Sequence, residues 1–284
     1  MRINHLLATL YWRGVFLSPG QFATLLQRLN QKEDGSLVLS QLSSWGISTT
    51  KLQNWKELGE EELQWCQDHE VNVVSLGDEN YPQWLMIKEK PPLVFTYWGE
   101  LPEDKALRLG VVGSRAPREE SLLWMDRFLS EVIKKENLIV LSGGARGIDQ
   151  KAHGLCLRYR AKTLAFLPSG LSKVYPKSFE DWISRILEVD GCIISQFSPF
   201  AQMQKSHFHI RNDFIAASCQ ALLVVQAGLK SGTMVTVKKA LKYNIPVGVV
   251  PSHPLNTNSL GGIKLIQEGA WPVLNEEDVF SLLV

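Results

Sequence analysis

From residue 107 to residue 274 the chain alternates short apolar runs with stretches of helical period, and few architectures accept that pattern. The apolar runs are Leu107–Val112, Leu138–Leu141, Thr163–Leu167, Cys192–Ser195, Ala221–Val225, Val247–Val250 and a short one near Trp271–Leu274. Helix-compatible patterns lie between most of them, at roughly 119–135, 148–160, 178–189, 208–219, 233–243 and 261–268. A strand apolar at every position has no face for water, and the intervening helices supply its cover. The expected fold class is therefore α/β, a mostly parallel sheet with helices on both faces. Two earlier runs, Val71–Ser75 and Leu93–Tyr97, add strands, and Tyr81-Pro82 and Pro91-Pro92 break the chain between them.

Residues 1 to about 68 carry helical periodicity and no strand signal: Leu6, Leu7, Leu10 and Tyr11, then Phe22, Leu25, Leu26 and Leu29, then Leu37, Leu39 and Leu42. Ser18-Pro19 suits a helix start, and Trp45-Gly46-Ile47 followed by Ser48, Thr49 and Thr50 suits a turn and cap. The expectation is a small all-helical domain over 1–68, of four or five short helices of the SAM-like or helix-hairpin-helix-like kind, and an α/β domain over 69–284. Trp12, Trp45, Trp55 and Trp65 are expected to fill its core and its seam with the sheet.

In a doubly wound sheet the loops leaving the carboxyl ends of the strands share one edge and build the binding crevice. Here those loops are rich in Gly, Ser, Pro and cations. Ser142-Gly143-Gly144-Ala145-Arg146-Gly147-Ile148-Asp149 follows a strand and opens a helix, so its amides and its arginine suit an anion. Gly113-Ser114-Arg115 offers a tight turn, a hydroxyl and a guanidinium fork. Lys173 and Lys177 lie in the third such loop and Lys205 in the fourth, while Ser231-Gly232-Thr233 forms a further turn. Phe208, Arg211 and Asn212 place aromatic, cation and amide in one short segment, which suits a single nucleic-acid strand.

The net charge of +1 speaks against a nucleic-acid protein when taken alone, but the charge is unevenly spread. Residues 138–179 hold seven Lys or Arg against Asp149, and residues 201–264 hold seven against Asp213. Glycine spacing for a dinucleotide fold is absent, as are a GxxxxGK[ST] loop and a GxSxG elbow. Asp149 and His153 share a helix face and could act as a base or brace the loop, and His207-x-His209 lacks a third metal ligand nearby. Cofactors and metals are not expected. The four cysteines lie far apart without a CxxC pair, as reduced buried thiols would. No window of eighteen apolar residues and no leader pattern occurs, so the expected location is cytoplasmic, with no membrane partner.

Together these residues resemble the DprA/Smf family of bacterial DNA-processing proteins. The resemblance rests on Tyr81-Pro82, Pro91-Pro92 and Gly99; Val112-Gly-Ser-Arg115; Ser142–Asp149 with Ala152-His153; Gly170 with Tyr175-Pro176; Arg211-Asn212; Ser231-Gly232 with Thr236; and Gly269-Ala270. It implies an extended Rossmann-like domain after a helical one, binding of single-stranded DNA, protection of incoming DNA in natural transformation, loading of the RecA recombinase, and a homodimer. Only about ten residues follow Asn275, so the C-terminal winged helix of many members is not expected. The chain departs from the pattern with Gln196 and Gln226 in place of glutamates, Asp213 in place of an arginine, and Ser252 in place of a glycine. Related Rossmann-like enzymes that cleave the ribose–base bond need a glutamate where this chain has Thr236. The expected function is thus a non-enzymatic single-strand binder. The alternatives are a nucleotide-binding or nucleotide-hydrolysing enzyme of that related group, or a RecA adaptor of weak DNA affinity.

Overall fold

A computed structural model describes residues 3–14, 19–30, 35–86 and 91–283. The chain opens with helices α1 (Ile3–Trp12), α2 (Pro19–Asn30), α3 (Gly35–Ser44) and α4 (Thr49–Asp68). Pro19 starts α2 as its sequence suggests, where its missing N–H costs nothing; Ser18 lies outside the described residues. One of these helices is not short, because α4 runs for 20 residues and carries its packing on into the sheet. Leu6, Leu10, Leu25 and Leu42 are buried with Val94, and Trp12, Trp45 and Trp55 pack against them. Trp65 reaches the seam, with its ring 5.8 Å from that of Trp98 and 6.0 Å from that of Phe200.

The sheet follows: β1 (Asn72–Ser75), β2 (Val94–Gly99), β3 (Leu107–Gly113), β4 (Leu138–Ser142), β5 (Thr163–Phe166), β6 (Cys192–Ser195), β7 (Ala221–Gln226), β8 (Val247–Val249) and β9 (Trp271–Pro272). Its order is β1-β2-β6-β5-β4-β3-β7-β8-β9. β2 runs antiparallel to both β1 and β6, and all other pairings are parallel. The connecting helices are α5 (Glu119–Trp124), which passes through a π turn at Met125–Leu129 into α6 (Ser130–Ile133), α7 (Ile148–Arg158), α8 (Glu180–Leu187), α9 (His207–Ser218), α10 (Thr233–Lys242), α11 (Leu260–Gln267) and α12 (Glu276–Leu283).

Alternate side chains of each central strand face opposite layers, as a pleated strand requires. Leu141, Leu164, Phe166, Leu222 and Val224 meet Phe214, Ile215 and Val237 of α9 and α10. Leu109, Val111, Val140, Leu223 and Val225 meet Met125, Leu129, Ile148, Ala152 and Val279 on the other face. All four cysteines are buried thiols, and burial pushes Cys66, Cys156 and Cys219 up to about 12. Among the described residues no helix is long and apolar enough to cross a membrane.

Candidate nucleic-acid interface

β3 pairs with β4 on one side and β7 on the other, so the strand order reverses there. Connections to left and right diverge at such a point and leave a crevice outside the carboxyl ends. The crevice holds about 400 Å³ and is lined by Gly113, Ser114 and Arg115 after β3, by Phe208, Arg211 and Asn212 of α9, and by Ser231, Gly232 and Thr233 before α10. Three separate sequence segments are thus brought together. Thr233 Oγ1 donates to Gly113 O at 3.1 Å and Asn212 Nδ2 to Gly232 O at 3.3 Å, which ties the three loops to one another.

Gly147 has φ +84°, and a Cβ there would stand 2.8 Å from the carbonyl carbon of Arg115. Glycine at this position lets the loop after β4 press against the loop after β3, where Ile148 N donates to Ser114 O at 3.1 Å.

The Ser142–Asp149 loop is turned inward more than its sequence suggests. Ser142 is fully buried and its Oγ donates to Val111 O at 2.6 Å. Gly143 is buried too, and its N–H donates at 3.2 Å to Asp149 Oδ2, as does that of Ala145 at 3.4 Å. The expected anion for these two amides is therefore an internal carboxylate. Burial raises the Asp149 carboxyl above the usual carboxylate range, opposed by the Arg211 charge and the two amides. Gly144 is buried beside Phe179, and only Arg146 of this loop is exposed.

Arg211, expected to meet phosphates, lines the crevice from within the fold. It is 5% exposed. Its guanidinium donates to the carbonyls of Gly143 and Phe166 and to Asn212 Oδ1. Burial lowers its pKa to about 10, the Asp149 charge opposing and the Arg115 charge reinforcing the shift. It forms the crevice floor, and its carbonyl partners leave it little freedom to follow a strand.

Arg115 takes the outward role. It is exposed and lies 5.2 Å from the centroid of Phe208, whose far neighbour is the Arg211 guanidinium at 5.8 Å. Tyr175, beside Pro176 in the loop after β5, meets the same ring edge-on at 5.9 Å. Arg146, Lys173, Lys177 and Lys205 are exposed on the loops after β4, β5 and β6, so they stand on the rim without lining the crevice. Lys230 is exposed beside Ser231 on the loop after β7, whereas five other cations of the two basic segments are paired with acids. Lys151 and Arg158 pair with Asp126, Lys162 with Glu100, Lys239 with Asp213 and Lys264 with Glu268.

Asp213 points at α10, where Tyr243 Oη donates to it at 2.8 Å, so its charge is answered away from the crevice. His153 is fully buried, bonded through Nδ1 to Thr163 Oγ1 at 2.7 Å, and held neutral by burial at about 3. It braces α7 against the sheet; Asp149, bonded to the loop amides, is not its partner. His207 stacks on Phe197 at 3.9 Å and bonds Pro168 O. Among the described residues no group of three or more His, Cys, Asp or Glu could hold a metal.

A contact that no local pattern announces joins α4 to the rim. Glu62 is 3% exposed, accepts both guanidinium arms of Arg13 at 2.9 and 3.0 Å, and accepts the Ser198 hydroxyl from the loop after β6.

A doubly wound sheet with glycine turns and an aromatic beside a guanidinium at its switch point defines the Rossmann-like class. The chain belongs to the DNA recombination-mediator protein A family, whose model matches residues 72–284. It is 32% identical to protein Smf of Synechocystis over 228 residues, 78% of this chain and 57% of that protein. It is 32% identical to DNA processing protein DprA of Streptococcus pneumoniae over 73% of this chain and 72% of that one. The solved S. pneumoniae structure superposes with a TM-score of 0.74 at 27% identity, covering 99% of this chain and 93% of its own. A Helicobacter pylori DprA structure, described as showing a single-stranded DNA binding mode, superposes at 0.66 and 27% identity over 75% of this chain and 95% of its own.

Proposed function

We propose that this chain binds single-stranded DNA along the carboxyl rim of its sheet, as a cytoplasmic homodimer without catalytic activity of its own. In this reading it protects incoming DNA and helps load RecA onto it during natural transformation. The observation that carries the proposal is the exposed Arg115 over Phe208 at the switch point, with the exposed cations Arg146, Lys173, Lys177 and Lys205 on the neighbouring rim loops. An aromatic face beside a guanidinium accepts a base of any identity, while the cations accept its phosphates. Gly113, Ser114, Ser231, Gly232 and Thr233 supply a close backbone approach. Among the described residues the only carboxylate lining the crevice is Asp149, which is buried against two amides, and this supports binding over hydrolysis. The H. pylori relative supports the ligand class.

Titration of labelled oligo-deoxythymidine against salt tests the reading. Six or more phosphate contacts should cost about 10³-fold or more in affinity between low and moderate salt. A flat, weak response would favour an adaptor that engages RecA without holding DNA itself. Co-elution with RecA on an oligonucleotide, and mass measurement by light scattering, test the recombinase and the dimer.

A further inference from the structure

A second hollow of about 390 Å³ lies on the other side of the switch point. Its walls are Arg118, Glu120, Ser121 and Trp124 on one side and Ser252, His253 and Asn256 on the other. The first crevice is built on α9 and α10, which cover one face of the sheet, whereas Trp124 ends α5, which leads into the helices of the opposite face. The loop after β3 serves both, with Arg115 lining the first and Arg118 the second three residues later.

Gln226 is buried between them and pairs with Gly113, where the β3–β7 register shifts. Its Oε1 accepts from Arg118 N and from Ser121 Oγ, both at 2.9 Å, which fixes that wall with an uncharged group. Trp124 is held by its Nε1, which donates to Leu274 O at 2.9 Å, so its ring plane is set before any ligand arrives. His253 Nδ1 accepts from Leu255 N at 3.2 Å, which leaves Nε2 to carry the proton. Asn256 Nδ2 donates to Ser252 Oγ at 3.3 Å. Arg118 and Glu120, both exposed at its mouth, pair at 3.3 Å, so the opposite charges lining the hollow offset one another.

We propose that this hollow is a nucleobase subsite, which takes a base of the same DNA strand after the backbone has crossed the rim at Arg115. The proposal rests on the single-strand reading above and extends it. A neutral hollow with an indole wall and fixed hydrogen-bonding groups discriminates against a phosphate and suits an uncharged heteroaromatic ring. The paired charge of Arg118 and Glu120 separates it from the first crevice, where the cation Arg115 is exposed. The strand would thus straddle the sheet edge, its phosphates over Arg115 and successive bases to either side.

The test uses the full chain and oligo-deoxythymidine carrying 5-iodouracil at each position in turn. Irradiation should give crosslinks in 118–124 or 250–256 as well as in the first crevice. Ser252→Trp, which fills the hollow, should weaken a twenty-base oligonucleotide about 5- to 100-fold, the range of one lost base stack, without changing the slope of affinity on salt. A three-base oligonucleotide should bind the variant as it binds the parent. Should that variant fail to fold, Asn256→Ala combined with the crosslink map replaces it. Crosslinks confined to 113–115, 208–212 and 231–233, with unchanged affinity for long oligonucleotides, would overturn the subsite while leaving the first crevice intact. A parent chain that binds no oligonucleotide removes both.

Discussion

Arg211 reaches from α9 to donate a hydrogen bond to the carbonyl of Gly143 at the end of β4. These two residues are 68 positions apart, and their contact decides which arginine of the crevice faces outward. A Cβ on residue 143 would overlap the guanidinium and stand 2.9 Å from Asp149 Oδ2. Glycine at 143 is the condition for the buried charges to lie on either side of the loop.

Gly143→Ala should therefore destabilise the fold by at least about 1–3 kcal/mol, the usual cost of forcing extra volume into a packed interior. Urea denaturation measures it, and an unchanged midpoint would mean that the Arg211 side chain can shift away freely.

Arg211→Ala and Arg115→Ala should fail in different assays. Loss of Arg211 leaves the carbonyls of Gly143 and Phe166 without the guanidinium that donates to them, and a buried acceptor left unsatisfied costs about 1–3 kcal/mol. Loss of exposed Arg115 should leave the melting temperature unchanged, weaken all sequences alike, and reduce the salt slope by about one. Parallel thermal melts and oligonucleotide titrations separate the two.

His153 gives a pH signature of definite sign. Its folded pKa of about 3 lies below the ordinary value of 6.5, because burial disfavours the charged ring. Below pH 6.5 the unfolded chain takes up a proton that the folded chain refuses, so this contribution to stability falls as pH drops from 6.5 toward 3. At pH 5.5 the loss from this group should be about 1.4 kcal/mol. His153→Gln, compared with the parent at pH 7.5 and 5.5, should show a correspondingly smaller drop.

Glu62→Ala removes the partner of Arg13 and of the Ser198 hydroxyl together. Arg13 keeps some contact with water at 17% exposure, so the expected loss is moderated to about 1–3 kcal/mol. Denaturant melts read the stability. Oligonucleotide affinity should fall as well, because Ser198 and Lys205 share the loop between β6 and α9.

The strands were legible because each is mostly apolar and bounded by polar turns; β3 through β8 fall within a residue or two of the runs read from the sequence, although β3 also buries Arg108. The rim was legible too, since sheet topology alone places the loops after β3, β4, β5 and β7 on one edge. Which rim residues face outward was not. Arg211 sits between aromatics and looks exposed, but the carbonyls that bury it come from Gly143 and Phe166, far away in the chain. The Ser142–Asp149 loop misled for a similar reason, since Asp149 lies one turn away and takes the amides itself. The basic segments were counted without their acids, and Asp126, Glu100 and Glu268 lie outside them. Glu62 carried no signal, because nothing in an acidic helix marks one carboxylate as buried.

The pairing of β3 with β7 joins Leu109 to Ala221 across more than a hundred intervening residues. A ribosome emitting this chain delivers β3 and β4 long before β7, so one flank of β3 waits uncovered until residue 221 has emerged. The floor of the crevice waits for Arg211 over the same interval. A nascent chain halted before that point would display strand edges and no DNA groove, which makes the binding surface one of the last parts of the molecule to exist.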